Sequence, residues 1–376
     1  MSWKIPLFKI YWDEEDVTRV AEAIRTGSNW AIGSNVTEFE SMLSQYMERK
    51  YCLVFNSGTS ALHAALFAYG IRSGDEVIVP SFTFIATANA PLFVGAQPIF
   101  ADIEQETFGL DPDSVKTMIG EKTKVILPVH FAGCPCNIKE LKEIAEDHHL
   151  LLIEDAAESL GAKIGLRKIG TFGDASVLSF CQNKIITTGE GGAVLTDSKE
   201  IYEKLKLIRS HGRLDKADYF SSSDSSDYIS LGYNFRMSNI TAALGISQLK
   251  KIEKIIEMRR RKAQYFDQKL QPVKEVTLFH APNDYFHVFQ MYTVTVNANC
   301  RDKLMCYLAG KGIMTKVYFP PVHLTSFYKE TLKFECKLPV TEDVSRQILT
   351  LPMHPSISTK EIDYIAEEIT GFFGGM

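Results

Sequence analysis

The stretch SFCQNKIITTGEGG, residues 179–192, sets a lysine where packing alone has little use for one. The run that leads into it, ASVLSF (175–180), is short and apolar and reads as a buried strand. Behind Lys184 come Thr187 and Thr188 and then Gly189-Glu190-Gly191-Gly192, which is turn chemistry. A strand that ends in such a turn puts Lys184 at the rim of a core. In open parallel sheets that rim is where ligands bind.

The neighbouring sequence repeats the pattern. Short apolar runs, CLVF (52–55), EVIVP (76–80), PIFADI (98–103), KVILPVH (124–130) and LLIED (151–155), alternate with helical segments. The helical segments are NSGTSALHAALFAYG (56–70), ATANAPLFVG (86–95) and NIKELKEIAEDHH (137–149). Runs that are apolar throughout belong to strands covered on both faces, so a mostly parallel sheet sandwiched by helices is expected. After about residue 200 the character changes. SSSDSSD (221–227) reads as a polar loop, and residues 239–270 as one long helix or two joined ones. MYTVTV (291–296) reads as a strand, with helices expected at 301–311 and 360–372. The expected architecture is α/β: a large domain over residues 1–250 and a smaller C-terminal α+β domain over 251–376.

The totals restrict the function classes. The chain has 376 residues, 45% hydrophobic and 23% charged, an ordinary globular composition with room for two domains. A net charge of -5 without a dense Lys/Arg block gives no case for nucleic acid. No apolar run reaches the length of a membrane span, and MSWKIPLFKIYWDEED at the start lacks a signal-peptide core. Seven irregularly spaced cysteines argue against a disulfide framework and for a reducing compartment, so a cytoplasmic protein is expected. Cys134 and Cys136 with His130 lack the second pair that structural zinc requires, and no metal is expected.

Three features could carry chemistry. Asp155 ends the strand LLIED beside Glu154, although an aspartate there also serves as a turn cap. Ser57-Gly58-Thr59-Ser60 opens a helix after a strand, which suits a phosphate, although N-capping uses the same residues. Neither Gly-x-x-x-x-Gly-Lys-Ser/Thr nor Gly-x-Gly-x-x-Gly occurs in that role. A lysine, a strand-end acid and an anion cradle together match pyridoxal 5'-phosphate: a Schiff-base partner, a pyridine-nitrogen partner and a phosphate site. Phe84, in a loop after a strand end, could lie flat on the ring.

The chain resembles the DegT-type nucleotide-sugar aminotransferases, pyridoxal-phosphate enzymes of the aspartate aminotransferase fold (fold type I). The likeness runs through NSGTSALHAAL, GDEVIVPSFTFIATANA, EDAAESLGA, GTFGDASVLSFCQNKIITTGEGG, GYNFRMSNITAALGISQL, VYFPPVH and LPMHP. It implies that Lys184 forms the Schiff base and shuttles protons, that Asp155 pairs with the pyridine nitrogen, and that Phe84 covers the ring. It implies Thr59, Ser60 and Ser179, beside Gly58, as phosphate ligands. Asn234 is similar to an asparagine that reaches the phosphate from the neighbouring subunit, implying a homodimer with shared sites. Arg236, Trp30, Tyr318 and His323 resemble segments that line the sugar-nucleotide cleft. Where many relatives carry Gln or His beside the phenolic oxygen, this chain has Glu158, which is expected to be protonated or to point toward substrate. Relatives that act as dehydratases carry histidine in place of the lysine, so Lys184 favours transamination.

The reading is therefore an aminotransferase that moves the amino group of L-glutamate to a keto carbon of a nucleotide-linked deoxysugar, C4 being preferred over C3. Two other classes stay open on the residues alone: a pyridoxal-phosphate enzyme of free amino acids, and a non-catalytic regulator on the same fold.

Overall fold

A computed structural model of the chain describes residues 3–27, 29–214 and 227–375; the serine-rich loop read at 221–227 lies outside the described residues except for Asp227. Five strands come first: β1 (Tyr51–Phe55), β2 (Glu76–Pro80), β3 (Gln97–Ala101), β4 (Thr123–Ile126) and β5 (Leu151–Asp155). A hairpin of β6 (Lys163–Ile164) and β7 (Arg167–Lys168) precedes β8 (Ala175–Ser179) and β9 (Gly192–Thr196). The main sheet runs in the order β1-β9-β8-β5-β4-β2-β3. Only β9 opposes its neighbours; β5 and β8 pair in parallel, with Asp155 opposite Val177.

Strand alternation divides the core in two. Val54, Ile78, Ile126, Leu152 and Leu178 face one apolar layer, which holds Phe39, Leu141 and Ile246. Leu53, Val77, Val125, Ile153 and Val177 face the other, built on Leu62, Leu66 and Ile201. Both faces are covered, which is why these strands read as continuous apolar runs rather than alternating ones. The same alternation sends Glu154 to the first face. Asp155 and Ser179 fall on the face of the helix Gly58–Ala68, the element that follows β1.

Beyond β10 (Arg213–Leu214) and β11 (Asp227–Tyr228), residues 239–270 form two helices, Asn239–Lys250 and Ile252–Leu270, that break at Lys251. β12 (Val276–Leu278), β14 (Tyr292–Val296) and β15 (Ile348–Leu351) make a second, antiparallel sheet, while β13 (Tyr285–Phe286) joins β6. Helices Ala298–Gly310 and Thr359–Gly374 pack on that sheet. The units interleave more than a boundary at 250/251 implies. The helix Ile252–Leu270 gives Ile252, Ile255 and Ile256 to the large core and Ala263, Phe266 and Leu270 to the small one. Ile5, near the start of the chain, packs in the small core beside Ile313.

Candidate active site

Where β5 ends, Asp155 is almost wholly buried. Its Oδ2 accepts from Thr87 Oγ1 at 2.8 Å and its Oδ1 from the Ala157 amide at 3.1 Å. Burial pushes its carboxyl pKa up; the Thr87 and Ala157 bonds and the charge of Lys184 draw it down, and the charge of Glu158 adds to the rise. No cation ion-pairs with it among the described residues, so it is an acid held in a dry site.

The turn that follows β8 brings Lys184 to the same place. Its amide donates to the Cys181 carbonyl at 3.0 Å, and the Gln290 side chain donates to the Asn183 carbonyl, tying the turn to the small domain. Lys184 Nζ donates to Glu158 Oε1 at 3.2 Å. Glu158 Oε2 accepts from the Ala132 amide at 2.9 Å. Two residues, Ala156 and Ala157, therefore separate two buried carboxylates in the turn after β5, and Lys184 meets the second of them.

The helix Gly58–Ala68 starts beside them. Ser57 Oγ accepts from the Ser60 amide at 3.0 Å, while the Gly58 and Thr59 amides carry no hydrogen bond among the described residues. A Cβ on Gly58 would stand 3.0 Å from Ser179 Cβ, and one on Gly192 would stand 2.5 Å from the Ser57 carbonyl oxygen. The missing side chains let β8, β9 and the helix start close on one another. Phe84 precedes the helix Ile85–Phe93, and its ring is 56% exposed although Phe82 beside it is fully buried. Thr87, one turn on, is the residue that holds Asp155. The Tyr318 phenol is pushed up, first by burial and then by the charge of Glu158, which places it in the field of the same site.

A second group of candidates gathers around Ser210. Arg236 Nη1 donates to Ser210 Oγ at 3.1 Å, and Arg236 lines a cavity with Ala31, Ile32 and Arg213. Trp30 is half exposed and its carbonyl accepts from the Asn239 amide at 2.8 Å. Asn234 is exposed, with its carbonyl accepting from Asn56 Nδ2 at 3.3 Å. His323 departs from the cleft reading. It is 2% exposed, its Nδ1 lies 2.6 Å from Ser81 Oγ, and its Nε2 faces Glu342 at 3.5 Å. Packed there, it fixes the end of β2 and offers no face to a substrate. His130 likewise serves the interior, between Glu154 and the Cys136 amide.

The family model for DegT/DnrJ/EryC1/StrS aminotransferases matches residues 11–370. The chain belongs to the DegT/DnrJ/EryC1/StrS aminotransferase family. A GDP-perosamine synthase of Escherichia coli O157:H7 is 37% identical, over 91% of each chain. A UDP-N-acetyl-3-dehydro-alpha-D-glucosamine 3-aminotransferase of Acidithiobacillus ferrooxidans is 36% identical, over 83% of this chain and 82% of its own. The structure of Helicobacter pylori PseC, an aminotransferase involved in pseudoaminic acid biosynthesis, superposes with a TM-score of 0.93 at 30% identity, over 99% of this chain and 100% of that one. This DegT-family protein is thus a sugar aminotransferase of nucleotide-sugar biosynthesis, on the fold the sequence implied.

Sequence reading of this family member overlooked Thr87, Gln290 and the Ala132 amide. Thr87 carried a usable signal: a polar residue one helical turn beyond Phe84 in an otherwise small and apolar segment. The Ala132 amide carried none, because every non-proline residue has one.

Proposed function

We propose that the chain transfers the amino group of L-glutamate to a keto carbon, C4 in preference to C3, of a nucleotide-linked deoxyhexose, with pyridoxal 5'-phosphate held in a homodimer. The observation that carries this reading is the meeting of Asp155, Lys184 and Glu158 at the ends of β5 and β8. The residues present fit the cofactor. Asp155 is a buried acid without a cationic partner among the described residues, which suits a protonated pyridine nitrogen. The unbonded Gly58 and Thr59 amides, with Ser60 and Ser179, suit a phosphate at a helix start. Phe84 leaves its ring open to a flat partner.

When bound, pyridoxal phosphate supplies an electron sink that makes the proton on the substrate's amine-bearing carbon removable. Lys184 takes that proton at Nζ and returns it, acting as general acid and base. Asp155 keeps its negative charge on the ring-nitrogen side, with Thr87 and Ala157 holding its orientation. Phe84 would cover one face of the cofactor ring. Asn234 from a second copy would complete the phosphate site, and Trp30 and Arg236 are the candidates for contacts to the nucleotide sugar. The GDP-sugar relative favours a GDP-linked acceptor over a UDP-linked one, because it shares more of this chain.

The test is the visible spectrum of the protein with pyridoxal phosphate before and after L-glutamate. Bleaching of the yellow band supports the donor half, and subsequent return of colour with a 4-keto but not a 3-keto nucleotide sugar supports the acceptor and its position. A band that ignores glutamate but responds to another free amino acid would point to the amino-acid class of enzyme instead. No band at all would remove the reading.

A further inference from the structure

We propose that Glu158 is the counter-ion of Lys184: it stabilises the ammonium that Nζ becomes after taking a proton from carbon, and so acts as a positioning residue for proton transfer. The inference deepens the reading of Lys184 as the reacting amine and rests on it. It takes Glu158 as the partner of Lys184, a third reading beside a protonated carboxyl and a carboxylate turned to substrate.

The geometry is specific. Each carboxylate oxygen of Glu158 has its own donor: Oε2 the Ala132 amide at 2.9 Å, Oε1 the Lys184 ammonium at 3.2 Å. Both side chains are largely buried, at 7% and 14% exposed, so solvent screens the pair little. The carboxylate cannot turn away without stranding the Ala132 N–H. That peptide is itself fixed. Ala132 has a φ of 56°, and its carbonyl accepts from His287 Nε2 at 3.0 Å. Neighbouring Gly133, at a φ of 91°, leaves no room for a side chain against Val288 and the Gln290 amide. Around the pair stand Asp155, a like charge at the start of the same turn, and the Tyr318 phenol, which feels the charge of Glu158.

The arrangement also balances charge. Lys184 pairs with Glu158, which leaves Asp155 to offer its negative charge elsewhere. Glu158 accepts no proton in this scheme. It lowers the energy of the ammonium that Lys184 becomes after taking a proton from carbon, and it aims Nζ by a bond whose other end is clamped to backbone. A glutamine at this position would keep the Ala132 bond through its carbonyl oxygen but turn an NH2 group toward Nζ. Only an unprotonated amine can accept from that group.

The experiment reads Lys184 without turnover. Cofactor-free protein is labelled briefly with acetic anhydride at a fixed mildly alkaline pH, and modification of the Lys184 peptide is followed by mass spectrometry, with exposed lysines as the reference. Only unprotonated amine reacts. In Glu158→Gln, Lys184 labelling should rise at least about tenfold relative to wild type, the size expected when a charge partner at contact distance is removed. Glu158→His, measured above the titration range of its ring, should behave the same way and serves if the glutamine variant fails to fold. A second readout is the pH at which the yellow band of the cofactor-loaded protein fades, which should fall in both variants. Unchanged labelling in a folded variant would overturn the proposal, as would equal acceleration at reference lysines only. Failure of the cofactor reading shows separately, as the absence of a glutamate response in wild type.

Discussion

Thr87 Oγ1 donates to Asp155 Oδ2 at 2.8 Å and lies 2.9 Å from Thr83 Oγ1, so the proton order runs Thr83 to Thr87 to the carboxylate. A carboxylate that only accepts forces that direction. The helix that carries Phe84 at its start therefore also aims the acid. Thr87→Val keeps the shape and removes the donor. A hydrogen bond to a charged group contributes about 1.5–3 kcal/mol, so pyridoxal phosphate should bind roughly tenfold to a hundredfold more weakly. Spectrophotometric titration of cofactor into the variant measures this, and Thr87→Ser should restore most of the affinity. Equal affinity in the valine variant would mean that Asp155 needs no help from this helix.

Lys184→Ala should bind cofactor without the yellow covalent form, because no other lysine approaches Asp155 or Glu158 among the described residues. Loss of the general acid–base should lower transamination by about 10²–10⁴-fold. A stopped-flow trace with L-glutamate checks it. Wild-type bleaching in this variant would move the chemistry to a different amine.

The fold was legible because both faces of the main sheet are covered, which turns each strand into an apolar run that ends abruptly. Lys184 and Asp155 stand where two such runs end, and that position singled them out. Thr87 was hidden by distance, since it meets Asp155 across 68 residues of chain. Ala132 acts through its backbone, which composition never marks. His323 shows the converse. A histidine in a proline-rich loop reads alike whether its ring opens to a cleft or closes on Ser81. The sharing of the helix Ile252–Leu270 between two cores was equally invisible, because its apolar stripe has one period throughout.

Glu154, next in sequence to Asp155 but on the opposite face, predicts acid behaviour. Its carboxylate is fully buried and accepts from the Gly170, Phe172 and Gly173 amides and from His130. Burial alone would raise its pKa, but the His130 bond and the amides outweigh it and hold the group below its ordinary value of 4.5. A depressed folded-state pKa stabilises the protein above the unfolded value, and that contribution is lost as pH falls through the folded one. Thermal unfolding should therefore show stability declining below about pH 4.5. Glu154→Gln, which turns an NH2 group toward amide donors, should cost about 3–5 kcal/mol at neutral pH and flatten that decline. An unchanged acid limb in a folded variant would assign the transition to other carboxylates.

Asn234 decides whether one chain is enough. It is exposed beside Ser210 rather than at Lys184, and its neighbourhood carries Tyr228, Ile229 and Leu231, large apolar side chains more than half exposed. Such a patch is what a subunit contact covers. If Asn234 completes the phosphate site of a second copy, Asn234→Ala and Lys184→Ala homodimers should both be nearly inactive. Denatured together in equal amounts and refolded, they form heterodimers in half of all pairings. One site of each heterodimer then holds Lys184 from one chain and Asn234 from the other. Activity should return to about a quarter of wild type, because half the dimers carry one of two sites intact. If Asn234 served only its own chain, every mixed site would lack one of the two residues and the mixture would stay inactive. Gel filtration of each variant must show the same dimer for the comparison to hold.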